Sequence, residues 1–154
     1  MLDVGTRWGH RIVEVTPTRR FDAVDVTEEL VTVVEEAGIT EGCVVAFCAH
    51  TTATLILNEL EDGVLEDLRQ RLDRLVPGEV YYAHDDLDRR VQNLEESHER
   101  PNGRAHVAQV VLGGSSLIIP VIGGRPALGR WQRLLLLELD EPKERRLVFQ
   151  AFGV

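Results

Sequence analysis

Residues 42–49 read Gly42-Cys43-Val44-Val45-Ala46-Phe47-Cys48-Ala49, and this stretch decides the fold class. The run is short, apolar, partly β-branched and opened by glycine, which predicts a buried central strand rather than a helix. Working outward, residues 53–57 give a second strand after His50-Thr51-Thr52, and residues 6–15 an opening strand. Between them, Asp25 and Glu28 have capping-box spacing, Leu30, Val31 and Val34 have helical spacing, and Gly38 suits a C-terminal cap. A first helix is therefore expected over residues 27–37. A second is expected over residues 62–75, where Val64, Leu65, Leu68, Leu72 and Leu75 share one face before Pro77-Gly78.

Further along, Tyr81 and Tyr82 suggest a short strand entering a polar loop over residues 84–103. Residues 105–112 are ambiguous between helix and strand, although Gly113-Gly114 suits a helix end. Residues 117–122 and 131–139, separated by Gly123-Gly124-Arg125-Pro126, read as paired strands, and residues 147–152 as a last strand. The expectation is one α+β domain over residues 1–154, largely antiparallel, with two or three helices.

Composition narrows the function. Seventeen basic against 26 acidic residues leave a net charge of −9, which argues against nucleic acid as the main partner. The cations are sixteen arginines and one lysine, Lys143. No segment approaches the ~20 apolar residues of a membrane span, and no signal sequence opens the chain, so a soluble, cytoplasmic protein is expected. Cys43 and Cys48 stand five apart in a strand, on opposite faces, and read as small buried apolar residues rather than a disulfide.

The histidines are His10, His50, His84, His98 and His106. None has the close spacing of a zinc finger or a helical zinc protease. Their settings say more. His50 follows an apolar strand and precedes two threonines, His84 opens an acidic loop with Asp85, Asp86 and Asp88, and His106 heads an apolar segment. Three histidines from separate segments can converge on one zinc and leave a position for water. Equally, each imidazole can be exposed or hydrogen-bonded in the core. Glu138 lies in the strand over 131–139 beside apolar neighbours, and a strand-end ion pair is its plain reading. Gly113-Gly114-Ser115-Ser116 has the composition of an anion cradle, though a helix cap and turn is commoner. No Walker loop, dinucleotide fingerprint or Gly-x-Ser-x-Gly elbow is present.

Several blocks occur in a characteristic order: His50-Thr51-Thr52-Ala53, Asn58-Glu59 with Asp62, His84-Asp85-Asp86, and Asn102-Gly103-Arg104-Ala105-His106. They continue through Leu112-Gly113-Gly114-Ser115-Ser116-Leu117 with Pro120, Leu128-Gly129-Arg130-Trp131-Gln132, Glu138-Leu139-Asp140 and Arg145-Arg146. The ordered set resembles the YjbQ-like family, also described as secondary thiamine-phosphate synthases. That resemblance implies a compact α+β fold, a homotrimer with sites near subunit boundaries, and a divalent-metal site at His50, His84 and His106. Zinc is the first candidate metal and magnesium the second.

The resemblance also implies a small phosphorylated or heterocyclic substrate. The activity linked to the family joins a hydroxymethylpyrimidine diphosphate to a thiazole phosphate and releases diphosphate. On this chain, Asp85 and Glu138 become catalytic candidates. Thr51, Asn58, Glu59, Ser115, Arg130, Trp131 and Gln132 become substrate-binding candidates, with Arg104, Arg125 and the Gly113-Gly114 amides facing phosphate. Two departures stand out: Arg104-Ala105-His106 where many relatives carry His-x-His, and Gly114-Ser115-Ser116 where relatives have Gly-Pro-Ser or Gly-Thr-Ser. A zinc-dependent hydrolase of another small substrate, or a trimeric binding protein without catalysis, are the alternatives.

Overall fold

Two antiparallel sheets of unequal size account for the strands. A computed structural model describes residues 5–94 and 100–154; His98 and part of the polar loop expected over 84–103 lie outside the described residues. The larger sheet contains β1 (Arg7–Val15), β8 (Arg145–Gly153), β3 (Glu41–Cys48), β5 (Ser116–Ile122) and β6 (Arg125–Pro126), in that order. The smaller contains β2 (Ala23–Asp25), β7 (Arg133–Glu138) and β4 (Ala53–Asn58). Three α-helices complete the described residues: α1 (Thr27–Ala37), α2 (Asp62–Leu75) and α3 (Gly103–Val111).

The main core fills the space between the sheets and α1. It joins Leu30, Val33 and Val34 of α1 to Val44, Ala46, Ile119, Leu147 and Phe149 of the large sheet and to Leu55, Leu134 and Leu136 of the small one. A second core lies on the small sheet's other side, where Leu137 and Leu139 meet Leu72 and Val76 from the α2 end and Ala105 and Ala108 of α3. Strand β7 is consequently covered on both faces, and Leu134 to Leu137 are all buried. The large sheet is covered on one face only. Strand β3 is central in order, but its Val45 is half-buried and Phe47 exposed, so the fully buried strand expected over 42–49 alternates instead.

The pairing expected between residues 117–122 and 131–139 is corrected. Strand β5 folds back on the two-residue β6 across Gly123 and Gly124, whose φ angles are +58° and +79°. The chain then crosses to the small sheet, where β7 pairs with β2 and β4. Burial explains the choice, because a strand apolar on both faces needs cover on both, whereas β5 alternates and suits the one-sided sheet. Tyr81 and Tyr82 form no strand. The Tyr82 hydroxyl donates to the Pro77 carbonyl and its ring joins the second core, leading into a 3-10 turn at Ala83–Asp85.

Candidate active site

The sequence-distant segments around His84 and His106 meet through a glycine. A Cβ added at Gly103 would stand 2.9 Å from the Tyr82 Cβ and 3.1 Å from the His84 Cβ. The first turn of α3 therefore lies directly on the 3-10 turn. Asp85 fastens the contact, its Oδ1 accepting hydrogen bonds from the Asn102 and Gly103 amides at 2.9 and 2.8 Å. An anionic acceptor at otherwise unbonded helix amides is favoured by charge and dipole together. One turn into the helix, the His106 ring reaches the His84 ring, with centroids 4.4 Å apart and planes inclined at 54°. Burial, followed by the neighbouring His84, pushes the His106 pKa below its ordinary value of 6.5. Arg90 stands 3.2 Å from His84 Nε2 and also donates to the His84 carbonyl.

His50 does not complete a ligand set with this pair. Its Nε2 accepts the Arg146 backbone amide at 2.7 Å, so Nδ1 carries the proton of the neutral ring. Burial and the adjacent Arg145 lower its pKa. Among the described residues, no group of three or more His, Cys, Asp or Glu side chains is placed to hold a metal ion. What fits a divalent cation is two imidazoles side by side, one of them held neutral. The Oδ1 of Asn102, one turn before His106, is in addition a buried oxygen with no hydrogen-bond partner among the described residues.

Glu138 is fully buried and forms a two-point ion pair with Arg145, while its Oε1 also accepts the Asp140 amide. That is the ion pair its position predicts, placed inside the molecule. Both carboxylate candidates thus hold structure together: Asp85 seats a helix, and Glu138 joins β7 to β8.

The substrate-binding candidates divide. Asn58, Glu59, Arg130, Trp131 and Gln132 line one cleft of about 370 Å³ at the end of β4. There the Arg130 guanidinium lies 4.7 Å from the centre of the Trp131 ring, and Gln132 accepts the Gly129 amide to shape the turn. Ser115 is elsewhere, its Oγ accepting from Gln109 and its carbonyl from the Cys48 amide. Thr51 is exposed. The anion-cradle reading of Gly113-Gly114 is corrected, since both amides donate to α3 carbonyls, those of Val110 and Gln109, and close the helix end. Arg104 likewise donates to the Val76 carbonyl and pairs with Asp73, and Arg125 is exposed in the short β6.

A second cavity, of about 580 Å³, adjoins the histidine pair and is lined by His84, Arg89, Arg90 and Asn93 among others. A model of the family described as UPF0047 protein YjbQ-like matches residues 11–154. The chain belongs to that family. A UPF0047 protein of Archaeoglobus fulgidus is 37% identical over 133 residues, 86% of this chain and 93% of its own length. The UPF0047 protein YugU of Bacillus subtilis is 33% identical over 144 residues, covering 93% and 98% of the two chains. A crystal structure from Sulfolobus solfataricus, described as a YbjQ-like protein of unknown function, matches with a TM-score of 0.85 and 28% identity over 97% of this chain and all of its own. The Sulfolobus structure shares the α+β architecture across nearly the full length of this chain. Among the described residues no helix is long and apolar enough to cross a membrane.

Proposed function

We propose that this UPF0047 chain is a metal-dependent enzyme acting on a small phosphorylated heterocycle, with thiamine-phosphate synthesis from a pyrimidine diphosphate and a thiazole phosphate as the named case. The observation that carries the reading is the His84–His106 pair, held together by the Gly103 contact and the Asp85 cap. These two imidazoles would hold a divalent ion, zinc before magnesium, while His50 stays outside the set, its Nε2 engaged by the Arg146 amide and its Nδ1 protonated. A bound ion of that kind neutralises a departing diphosphate or lowers the pKa of a bound water to roughly 7.

The chain's own residues supply the rest. Arg89 and Arg90 bring positive charge to the cavity beside His84, suited to phosphate oxygens. Trp131 offers a flat, exposed indole against which a heterocycle stacks, with Asn58 and Glu59 able to hydrogen-bond its edge. In the proposed homotrimer this cleft and the histidine pair meet at subunit boundaries.

Elemental analysis after dialysis tests the reading. The wild type should retain about one zinc per chain, as a closed histidine site does, and His84→Ala and His106→Ala should each lose it, with synthesis of thiamine phosphate falling in parallel. His50→Ala should keep its zinc, because that ring is engaged by the Arg146 amide. Full zinc in the other two variants, or none in the wild type, would overturn the histidine site.

A further inference from the structure

We propose that the turn between β1 and β2 is an oxyanion site, in which Arg20, set over the Phe21 ring, and its neighbour Arg19 bind the phosphate group of a small molecule. The inference stands without a metal and without the reaction above.

The turn is built at both ends. Thr18 donates through its amide and its hydroxyl to Asp22 Oδ2, at 2.7 and 2.8 Å. The Phe21 amide donates to the Glu138 carbonyl at 2.7 Å, and the Glu138 amide returns a bond to the Asp22 carbonyl at 3.0 Å. Between these clamps Phe21 has a φ of +58°. Left-handed backbone is strained for a residue with a Cβ, and such strain gathers where function needs it. Here it turns the phenyl ring into the second core and brings two guanidinium groups over that ring, Arg20 at 5.3 Å and Arg104 at 5.8 Å.

The two cations are not equivalent. Arg104 is bonded to Val76 and Asp73. The side chains of Arg19 and Arg20 make no hydrogen bond or ion pair among the described residues. Partial desolvation of its guanidinium, and then the charge of Arg104, lower the Arg20 pKa although the residue as a whole is exposed, while Asp73 and Asp140 act against the shift. Those two carboxylates already serve other cations, Asp73 with Arg69 and Arg104 and Asp140 with Lys143. A guanidinium crowded by a like charge, held by a strained turn and lacking an acceptor, is arranged to receive an anion in fork geometry.

The cleft in front of it, about 690 Å³, is lined by Arg19, Arg20 and Phe21 on one side and Leu60, Leu65 and Arg69 on the other. Of its carboxylates, Asp22 is engaged by Thr18 and Glu66 by Arg69 and Gln70, which leaves Asp62. The leucines give an apolar wall that a bare phosphate ion would not use, so a phosphate ester is the better ligand.

Calorimetric titration at low salt with inorganic phosphate and with phenyl phosphate tests this on the full chain. Saturable binding of phenyl phosphate is expected, weakened about tenfold or more in Arg20→Ala and less in Arg20→Lys, which keeps the charge but loses the fork. Tighter binding of the ester than of inorganic phosphate would support an organic phosphate as ligand, and equal binding would support the free ion. Arg20 is exposed, so the unfolding temperature of both variants should match the wild type. His106→Ala should bind as the wild type does, which separates this site from the histidine pair. No saturable binding, equal binding by Arg20→Ala, or loss of binding in His106→Ala would overturn the proposal.

Discussion

His50 and His106 are both held below the ordinary imidazole pKa, first by burial, then by Arg145 in one case and His84 in the other. For His50 the hydrogen bond adds a reason, because a protonated Nε2 can no longer accept the Arg146 amide. The sign of the stability effect follows. Above the unfolded value of 6.5, both states are neutral and stability is independent of these groups. As the pH falls through 6.5, the unfolded chain binds protons that the folded chain refuses, and stability is lost until the folded-state pKa values are passed. Denaturant midpoints of metal-stripped protein, measured from about pH 8 to about pH 5, should therefore fall with pH. The fall should be shallower in His106→Gln, and an equal slope in wild type and variant would show that His106 is not depressed. Glu138 belongs at this scale too. Its burial is tolerable because Arg145 meets both oxygens, and truncating either partner would leave a buried charge uncompensated, at about 3–5 kcal/mol.

Helix α3 shows how an element acquires a role its own sequence does not announce. Alanine is a better helix former than glycine by about 1 kcal/mol, so propensity alone predicts that Gly103→Ala stabilises. The Cβ position 2.9 Å from Tyr82 predicts the reverse, a loss of about 1–3 kcal/mol from overpacking. Chemical denaturation decides between them, and zinc content should fall alongside because His106 rides on the same helix. The elements legible in the sequence are those whose signals are local. The bounds expected for α1 and α2 match those observed, and Gly38 closes α1 in left-handed geometry at φ +62°. The expected capping box is displaced by one residue: Asp25 accepts the Thr27 amide from outside the helix, and Val26 takes the cap position. Strand pairing is not legible where it depends on which face of β7 finds cover, a property of other elements. The same division holds at the site. Arg130, Trp131 and Gln132 are adjacent in sequence and share a cleft with Asn58 and Glu59, as the ordered motifs imply. The Asp85–Gly103 contact joins segments 18 residues apart, and the left-handed Phe21 has no side-chain signature at all.

At the scale of the whole molecule, the large sheet presents an uncovered apolar face. Its cross-strand rows run from Trp8 through Phe152 to Cys43, and from Gln150 through Val45 to Ile118. Ile118 is 70% exposed and Trp8 66%. On a chain with a net charge of −9, exposed apolar side chains grouped on one sheet face suit the association surface that the proposed trimer requires. The sheet's other face is already filled by α1 and the main core, so the outer face is the one available for assembly, and a second copy of the same chain is the partner implied by the proposed trimer. A charge at its centre would be desolvated on association and left unpaired, whereas in a free subunit it would remain in water. Ile118→Asp should therefore shift the sedimenting species from about three times the 17.3 kDa chain mass toward the single chain, with little change in helix content by circular dichroism. A trimer unchanged by Ile118→Asp and by Val45→Asp would assign assembly to another surface, and zinc retained by a well-folded single chain would place the histidine site within one subunit.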